Sequence, residues 1–353
     1  MQSIAEEVAA AERLPGMSYA VATPTAILAS GAVGCADLAT GRAAAPTDQY
    51  PWFSMTKIAT ATTAVSLHAE GALDLDVPVD TYLPEHPVGR GGRPTVRQLL
   101  SHTAGLGNPL PIRWIRPEDA PADPTTMTTV VARHGAARRR PGNRAAYSNI
   151  GYLVAGQVIE AVTGVCVEQC VTDRVLAPLG LTSTGYRYQV ARPRAVGHVR
   201  LPRLAVPLLR AALPRGIVGD RAHGYTTLRP FLVSGAAYGG LIGPVTDAVR
   251  LAAMHAAGPS DPHPVLSPVD VELMRTIRWT GKPFDHGIGW FRKPLDAHRS
   301  PGFVEHYGTG GGYWNAMRIY PERRLAMVAM ANTTSRWDVD QLFTRFAAQA
   351  SGG

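Results

Sequence analysis

What most constrains this chain is that its strand-like segments lie at its two ends and its helical ones between them. Residues 17–33 alternate and break around Thr23-Pro24, as two strands of a hairpin do. Near the other end, 312–334 reads as two strands around Pro321-Glu322-Arg323, with Met317 and Ile319 before the turn and Leu325, Met327 and Val328 after it. Strands so far apart in sequence share a core only if the chain returns on itself. The pattern therefore predicts an α+β fold: an antiparallel sheet from the N- and C-terminal segments, flanked by helices, with a helical lobe inserted. Residues 1–75 and 231–353 make the sheet lobe, and 76–230 the mainly helical one. A cleft between them is the natural place for a site.

Three helices stand out. Ile4, Val8, Ala11 and Leu14 fall near helical spacing in an amphipathic first helix. The run Ser54 to Glu70 has an apolar face (Ile58, Ala61, Val65, Leu67), with Gly71 to cap it. A closing helix, Trp337 to Ala350, carries Val339, Leu342, Phe343 and Phe346 on one face. The proline-rich stretch Asn108–Pro124 reads as a loop.

Charge is localised. The net +8 matches the excess in Tyr186–Pro230, where nine arginines face a single acid, Asp220. No recognition motif accompanies them, so nucleic acid is not the expected partner. A solvated, mobile flap over 187–229 is expected, or a surface for an acidic partner, an acyl carrier or a membrane surface. No apolar run approaches the roughly 20 residues of a membrane span. Early acids and the lack of an apolar leader at the N-terminus lead to an expectation of cytoplasmic location. Cys35, Cys166 and Cys170 show no paired spacing and read as free thiols that pack. No histidine stands at ligand spacing to them, so neither a metal nor an organic cofactor is expected.

The chemistry begins at Lys57. Of 35 basic residues only three are lysines, at 57, 282 and 293. A desolvated lysine can lose its proton near neutral pH, whereas arginine cannot. Lys57 lies three residues after Ser54, which on a helix puts both side chains on one face. A buried amine beside a hydroxyl can activate a nucleophile. Tyr147-Ser148-Asn149 adds a phenol, a hydroxyl and an amide at the start of a helix-like run. A tyrosine beside a lysine cation ionises more easily and could take the serine proton. Further on, Glu305-His306-Tyr307-Gly308-Thr309 leads into three glycines, which let a strand approach a bound substrate closely.

In that order, Ser54-Met55-Thr56-Lys57, Tyr147-Ser148-Asn149 and His306-Tyr307-Gly308 resemble the three motifs of the serine β-lactamase and penicillin-binding-protein superfamily, nearest its class C-type esterase relatives. Leu99–Leu106 (LLSHTAGL), Tyr82-Leu83-Pro84-Glu85 and Gly239-Gly240-Leu241 are similar too, so the resemblance covers nearly the whole chain. It implies that Ser54 attacks a carbonyl while Lys57 and Tyr147 share the general-base work. The N–H groups of Ser54 and Thr309 would form the oxyanion hole, worth about 3 kcal/mol per donor. Asn149 would orient Lys57 or hold a substrate amide, and His306 would hydrogen-bond Tyr147 or the substrate. Where β-lactamases begin the third motif with lysine, this chain has His306, and the usually small next residue is Tyr307. A small-molecule ester, thioester or amide lacking an obligatory carboxylate is therefore the expected substrate. Tyr307, Gly308, Thr309, Tyr313 and Trp314 would shape its acyl pocket.

The residues leave four outcomes open: an esterase-like hydrolase, an acyltransferase sharing its acyl-enzyme, a D-amino-acid peptidase or weak β-lactamase, and a non-catalytic scaffold. Retention of Ser54, Lys57 and Tyr147 argues against the last. No G-x-S-x-G elbow occurs, which disfavours an α/β-hydrolase.

Overall fold

The two chain ends meet in one eight-stranded antiparallel sheet. A computed structural model describes residues 1–89, 92–142 and 144–350. Positions 90, 91 and 143 of the expected helical lobe, and 351–353 of the expected sheet lobe, lie outside the described residues. Across the sheet the strands run Asp285–His286, Phe291–Arg292, Val304–Gly310, Tyr313–Tyr320, Leu325–Ala331, Gly16–Ala22, Ile27–Asp37 and Arg42–Ala43. The first strand pairs with the last, Met17 opposite Ala331 and Val21 opposite Met327.

Both sheet faces are covered, which is why Gly16–Ala22 and Leu325–Ala331 are buried throughout. Side chains alternate across a strand. Met17, Tyr19 and Val21 pack with the helices Gln2–Glu12 and Val339–Ala350. Ala20, Val328 and Met330 face the opposite core, which holds the helices Thr56–Ala69 and Val245–Ala256. In the first helix the buried face is Ala5, Val8 and Ala9, while Ala11 is exposed, so the expected stripe is rotated by about one residue.

Beneath the Val304–Gly310 strand lies a buried ionic cluster. Arg318 and Glu305 are both fully buried and pair at 2.6 Å, and Arg318 also reaches Asp340 of the closing helix at 2.7 Å. Charge-assisted pairs of this kind fix geometry as well as offsetting desolvation. Here they tie the strand that carries His306 to the closing helix.

The helix Thr56–Ala69 differs from the amphipathic expectation, because Thr56 through Leu67 are all buried. Its threonines satisfy their hydroxyls within the helix or on another segment packed against it. Thr62 and Thr63 donate to Ile58 O and Ala59 O, and Thr60 donates to Ala237 O at 2.7 Å.

The expected flap holds regular structure that its sequence did not reveal: a three-stranded sheet (Gly197–Arg200, Tyr225–Leu228, Val218–Ala222) and a short helix, Val206–Ala212. The hairpin turn uses His223 and Gly224, both at positive φ, which matches the twist of the flanking strands. With Ile115–Pro117 paired to Phe231–Val233 as well, the inserted segment is not helical throughout. Cys166 is exposed rather than packed, Cys35 is half-buried and Cys170 is buried. No single helix among the described residues is long and apolar enough to cross a membrane.

Candidate active site

Ser54 is the middle residue of a single 3-10 turn, Phe53–Met55, that runs straight into the helix Thr56–Ala69. The preceding Phe53 has φ 47°, a left-handed conformation that costs an aromatic residue about 2 kcal/mol. The flanking backbone is held from several directions. Trp52 N–H donates to Leu241 O at 2.8 Å and its indole donates to Gly243 O at 3.1 Å. Asn315 Nδ2 donates to Pro51 O at 2.8 Å.

The glycines of the third motif belong to this support. A Cβ on Gly308 would run into the Trp52 carbonyl, and one on Gly310 into the Phe53 ring. They let the strand approach the Ser54 turn itself rather than only a substrate. Gly308→Ala is thus expected to displace the strand from Ser54 and slow fluorophosphonate labelling of Ser54 by roughly 100-fold while the protein stays folded. Labelling at the wild-type rate would show that this contact does not position the serine.

Lys57, one turn after Ser54, is fully buried. Its Nζ makes three contacts: Asn149 Oδ1 at 2.8 Å, the Tyr238 carbonyl at 2.9 Å and Ser54 Oγ at 3.0 Å. Two of these partners can only accept. The amine therefore donates to Asn149 Oδ1 and to the Tyr238 carbonyl, and its third contact is to the Ser54 hydroxyl. Three tyrosine rings (147, 152 and 238) lie 5.0 to 5.4 Å from Nζ and offset part of the burial, but no carboxylate pairs with the amine among the described residues. Burial holds its pKa well below the ordinary lysine value.

Tyr147 precedes the helix Asn149–Thr163. Ser148 caps that helix, accepting from Gly151 N–H and donating to Gly107 O at 2.8 Å. The Tyr147 ring stacks on His102 at 4.4 Å, and Ser148 N–H donates to His102 Nδ1 at 3.0 Å. Burial is the larger influence on the Tyr147 phenol and raises the pKa, while the neighbouring Ser54 side chain lowers it. The sequence leads to the expectation of an easily ionised tyrosine, whereas burial makes this phenol harder to ionise than an ordinary one.

His306 donates from Nδ1 to the Tyr307 carbonyl at 2.8 Å, while its buried Nε2 has no protein partner among the described residues. Burial holds His306 and His102 well below the ordinary histidine value and lowers His286 to about 4. All three are neutral at pH 7.

Around Ser54 opens a cavity of about 650 Å³. Tyr147, Asn149, His306, Tyr307 and Thr309, all singled out in the sequence, line it. Gly308 instead packs against the Ser54 turn. Tyr313 is buried beside Tyr50, Phe53 and Phe231 and donates to Ala195 O, away from the cavity. Trp314 faces a second cavity, of about 770 Å³, beside Trp337. The remaining walls include Phe53, Leu209, Val233, Tyr238, Phe284 and Phe291, none of which sequence reasoning picked out. Only Tyr238 stood near a signal, the adjoining Gly239-Gly240-Leu241. No lining residue is Asp, Glu, Lys or Arg. Among the described residues, no group of three or more metal-ligating side chains is present.

The β-lactamase family model matches residues 1–350. Penicillin-binding protein 4 of Amycolatopsis lactamdurans is 26% identical over 290 residues, which is 79% of this chain and 71% of that protein. Among solved structures, SurE with D-Leu is 28% identical, with TM-score 0.73, covering 99% of this chain and 74% of that one. D-amino acid amidase from Ochrobactrum anthropi SV3, complexed with L-phenylalanine, shares the fold at TM-score 0.81 and 23% identity, with coverage of 99% and 98%.

Proposed function

Because this chain belongs to the β-lactamase family, with its serine-hydrolase fold, we propose that it is an esterase-like enzyme whose Ser54 forms an acyl-enzyme with a neutral, largely apolar acyl group. The observation that carries this reading is the cavity itself: Ser54 opens into a space whose lining includes no charged side chain.

In this mechanism the Lys57 amine takes the Ser54 proton as Oγ bonds to the substrate carbonyl carbon. The N–H groups of Ser54 and Thr309 receive the developing oxyanion. On collapse the C–O, C–S or C–N bond breaks, and Tyr147 passes a proton to the leaving group, replenished from Lys57. Water then attacks the acyl-enzyme, giving up its proton by the reverse route and freeing Ser54. Asn149 and the Tyr238 carbonyl hold the amine in place. His306 Nε2 is free to accept a hydrogen bond from Tyr147 or from the substrate.

A substrate carboxylate would find no cation in the cavity lining, since His306 is neutral and burial disfavours the charged form of Lys57. That disfavours penicillins and the peptidase alternative. Hydrolysis of p-nitrophenyl butyrate is expected to exceed that of nitrocefin by at least roughly 100-fold in kcat/KM, because a lost buried polar partner is costly to a site. Equal or faster nitrocefin turnover would refute the substrate assignment.

A second reading, acyl transfer, is favoured by the same apolar walls, which suit an organic acceptor better than water. Partition of the p-nitrophenyl butyrate acyl group between water and added alcohols or amines decides it: acceptor products at concentrations far below that of water support transfer, and their absence rejects it.

A further inference from the structure

The helix Val206–Ala212 has two working faces. Leu209 and Ala212, with Leu213 just after, form a wall of the Ser54 cavity. On the outside, Leu208 is 73% exposed and Leu204, just before the helix, is 95% exposed. The neighbouring loop shares this arrangement. Ile112 lines the cavity yet is 48% exposed, Leu110 is 79% exposed, and Arg113 donates to Ala211 O at 2.9 Å, tying loop to helix. Four apolar side chains thus stand in solvent on the rim of an apolar cavity.

The same rim is cationic. Arg113, Arg203, Arg210 and Arg215 are exposed, and none has a carboxylate within ion-pair distance among the described residues. Neither 108–117 nor 203–215 contains an acid. Many arginines elsewhere in the chain are paired, such as Arg93 with Asp80 and Arg97 with Asp76. Protruding leucines bracketed by unneutralised arginines are the composition of a surface that inserts into an anionic lipid interface, leucines among the acyl chains and arginines at the headgroups. Leucines exposed this far project outward rather than lining a groove, so they suit penetration of a fluid surface better than the seating of a folded acidic protein.

We propose that the rim formed by residues 110–113 and 203–215 docks this protein on anionic lipid surfaces, bringing amphiphilic acyl substrates to the Ser54 cavity. The proposal rests on the reading of that cavity as an acyl site. Flotation of the full chain with vesicles of phosphatidylcholine plus phosphatidylglycerol, and with phosphatidylcholine alone, tests it. The protein is expected to float with the anionic vesicles at low salt and to be released by high salt. The pairs Leu204→Ser with Leu208→Ser, and Arg203→Gln with Arg210→Gln, should each weaken vesicle binding by roughly tenfold or more. Neither pair touches the cavity, so hydrolysis of water-soluble p-nitrophenyl acetate should stay as in wild type. Failure to float with anionic vesicles, equal binding to both vesicle types, or binding to polyglutamate but not to vesicles would each overturn the assignment. Fluorophosphonate labelling of the same samples separates the two readings. Protein labelled at Ser54 but unbound removes the docking surface alone, whereas protein bound but unlabelled removes the esterase reading and keeps the surface.

Discussion

Ser54→Ala is expected to lower ester hydrolysis by on the order of 10⁴-fold or more and to abolish fluorophosphonate labelling, with little effect on folding. The size follows from the site's neutrality. Lys57 contacts Ser54 at 3.0 Å and Tyr147 lines the same cavity, so both serve chemistry that runs through an acyl group on Ser54. Removing the hydroxyl therefore leaves only the oxyanion donors and the cavity. The structural cost is small, because Ser54 sits on a half-buried turn and gives up one hydrogen bond to Lys57, worth about 1 kcal/mol. Hydrolysis at more than a tenth of the wild-type rate, in a folded variant, would mean that another residue is the nucleophile.

Lys57→Arg should be nearly as damaging, at roughly 10³- to 10⁴-fold, although it conserves charge type. The reason is that the site uses the lysine without its proton. An arginine remains a cation, so it could donate to Ser54 Oγ but never accept from it. Because the position is fully buried and a guanidinium is larger, Lys57→Met serves as a companion of similar length and no charge. It should lose activity to the same extent, while leaving Asn149 Oδ1 and the Tyr238 carbonyl without their donor. Thermal unfolding of both variants separates loss of the base from loss of the fold. A folded Lys57→Met enzyme with near-normal turnover would transfer the base role elsewhere.

Sequence patterns carried the parts of this account that local chemistry determines. The terminal strands, the Ser54 helix and the sheet joining the chain ends were legible from alternation and spacing. So was the meeting of Ser54, Lys57, Tyr147 and Asn149, because each belongs to a motif with its own chemical logic. The cavity walls were not. Leu209, Tyr238, Phe284 and Phe291 come from separate segments and look like ordinary apolar residues until tertiary packing brings them together. Tyr313 and Trp314 show how a one-residue alternation misleads. They follow the glycine run directly, yet they face opposite sides of their strand, Tyr313 into the core behind Phe53 and Trp314 toward the closing helix. The basic segment hid its strands because prolines and arginines masked a hairpin whose only clear mark was the pair His223-Gly224.

The protonation state of Lys57 is most directly read from the pH dependence of Ser54 modification by a fluorophosphonate, followed by intact-protein mass. An amine with a depressed pKa is lost as a base only when acid protonates it. The rate should therefore rise along a single acid limb well below the ordinary lysine value of 10.5 and stay level across neutral pH. A slow rate at neutral pH that climbs only near 10.5 would show a charged ammonium at position 57 and contradict the mechanism.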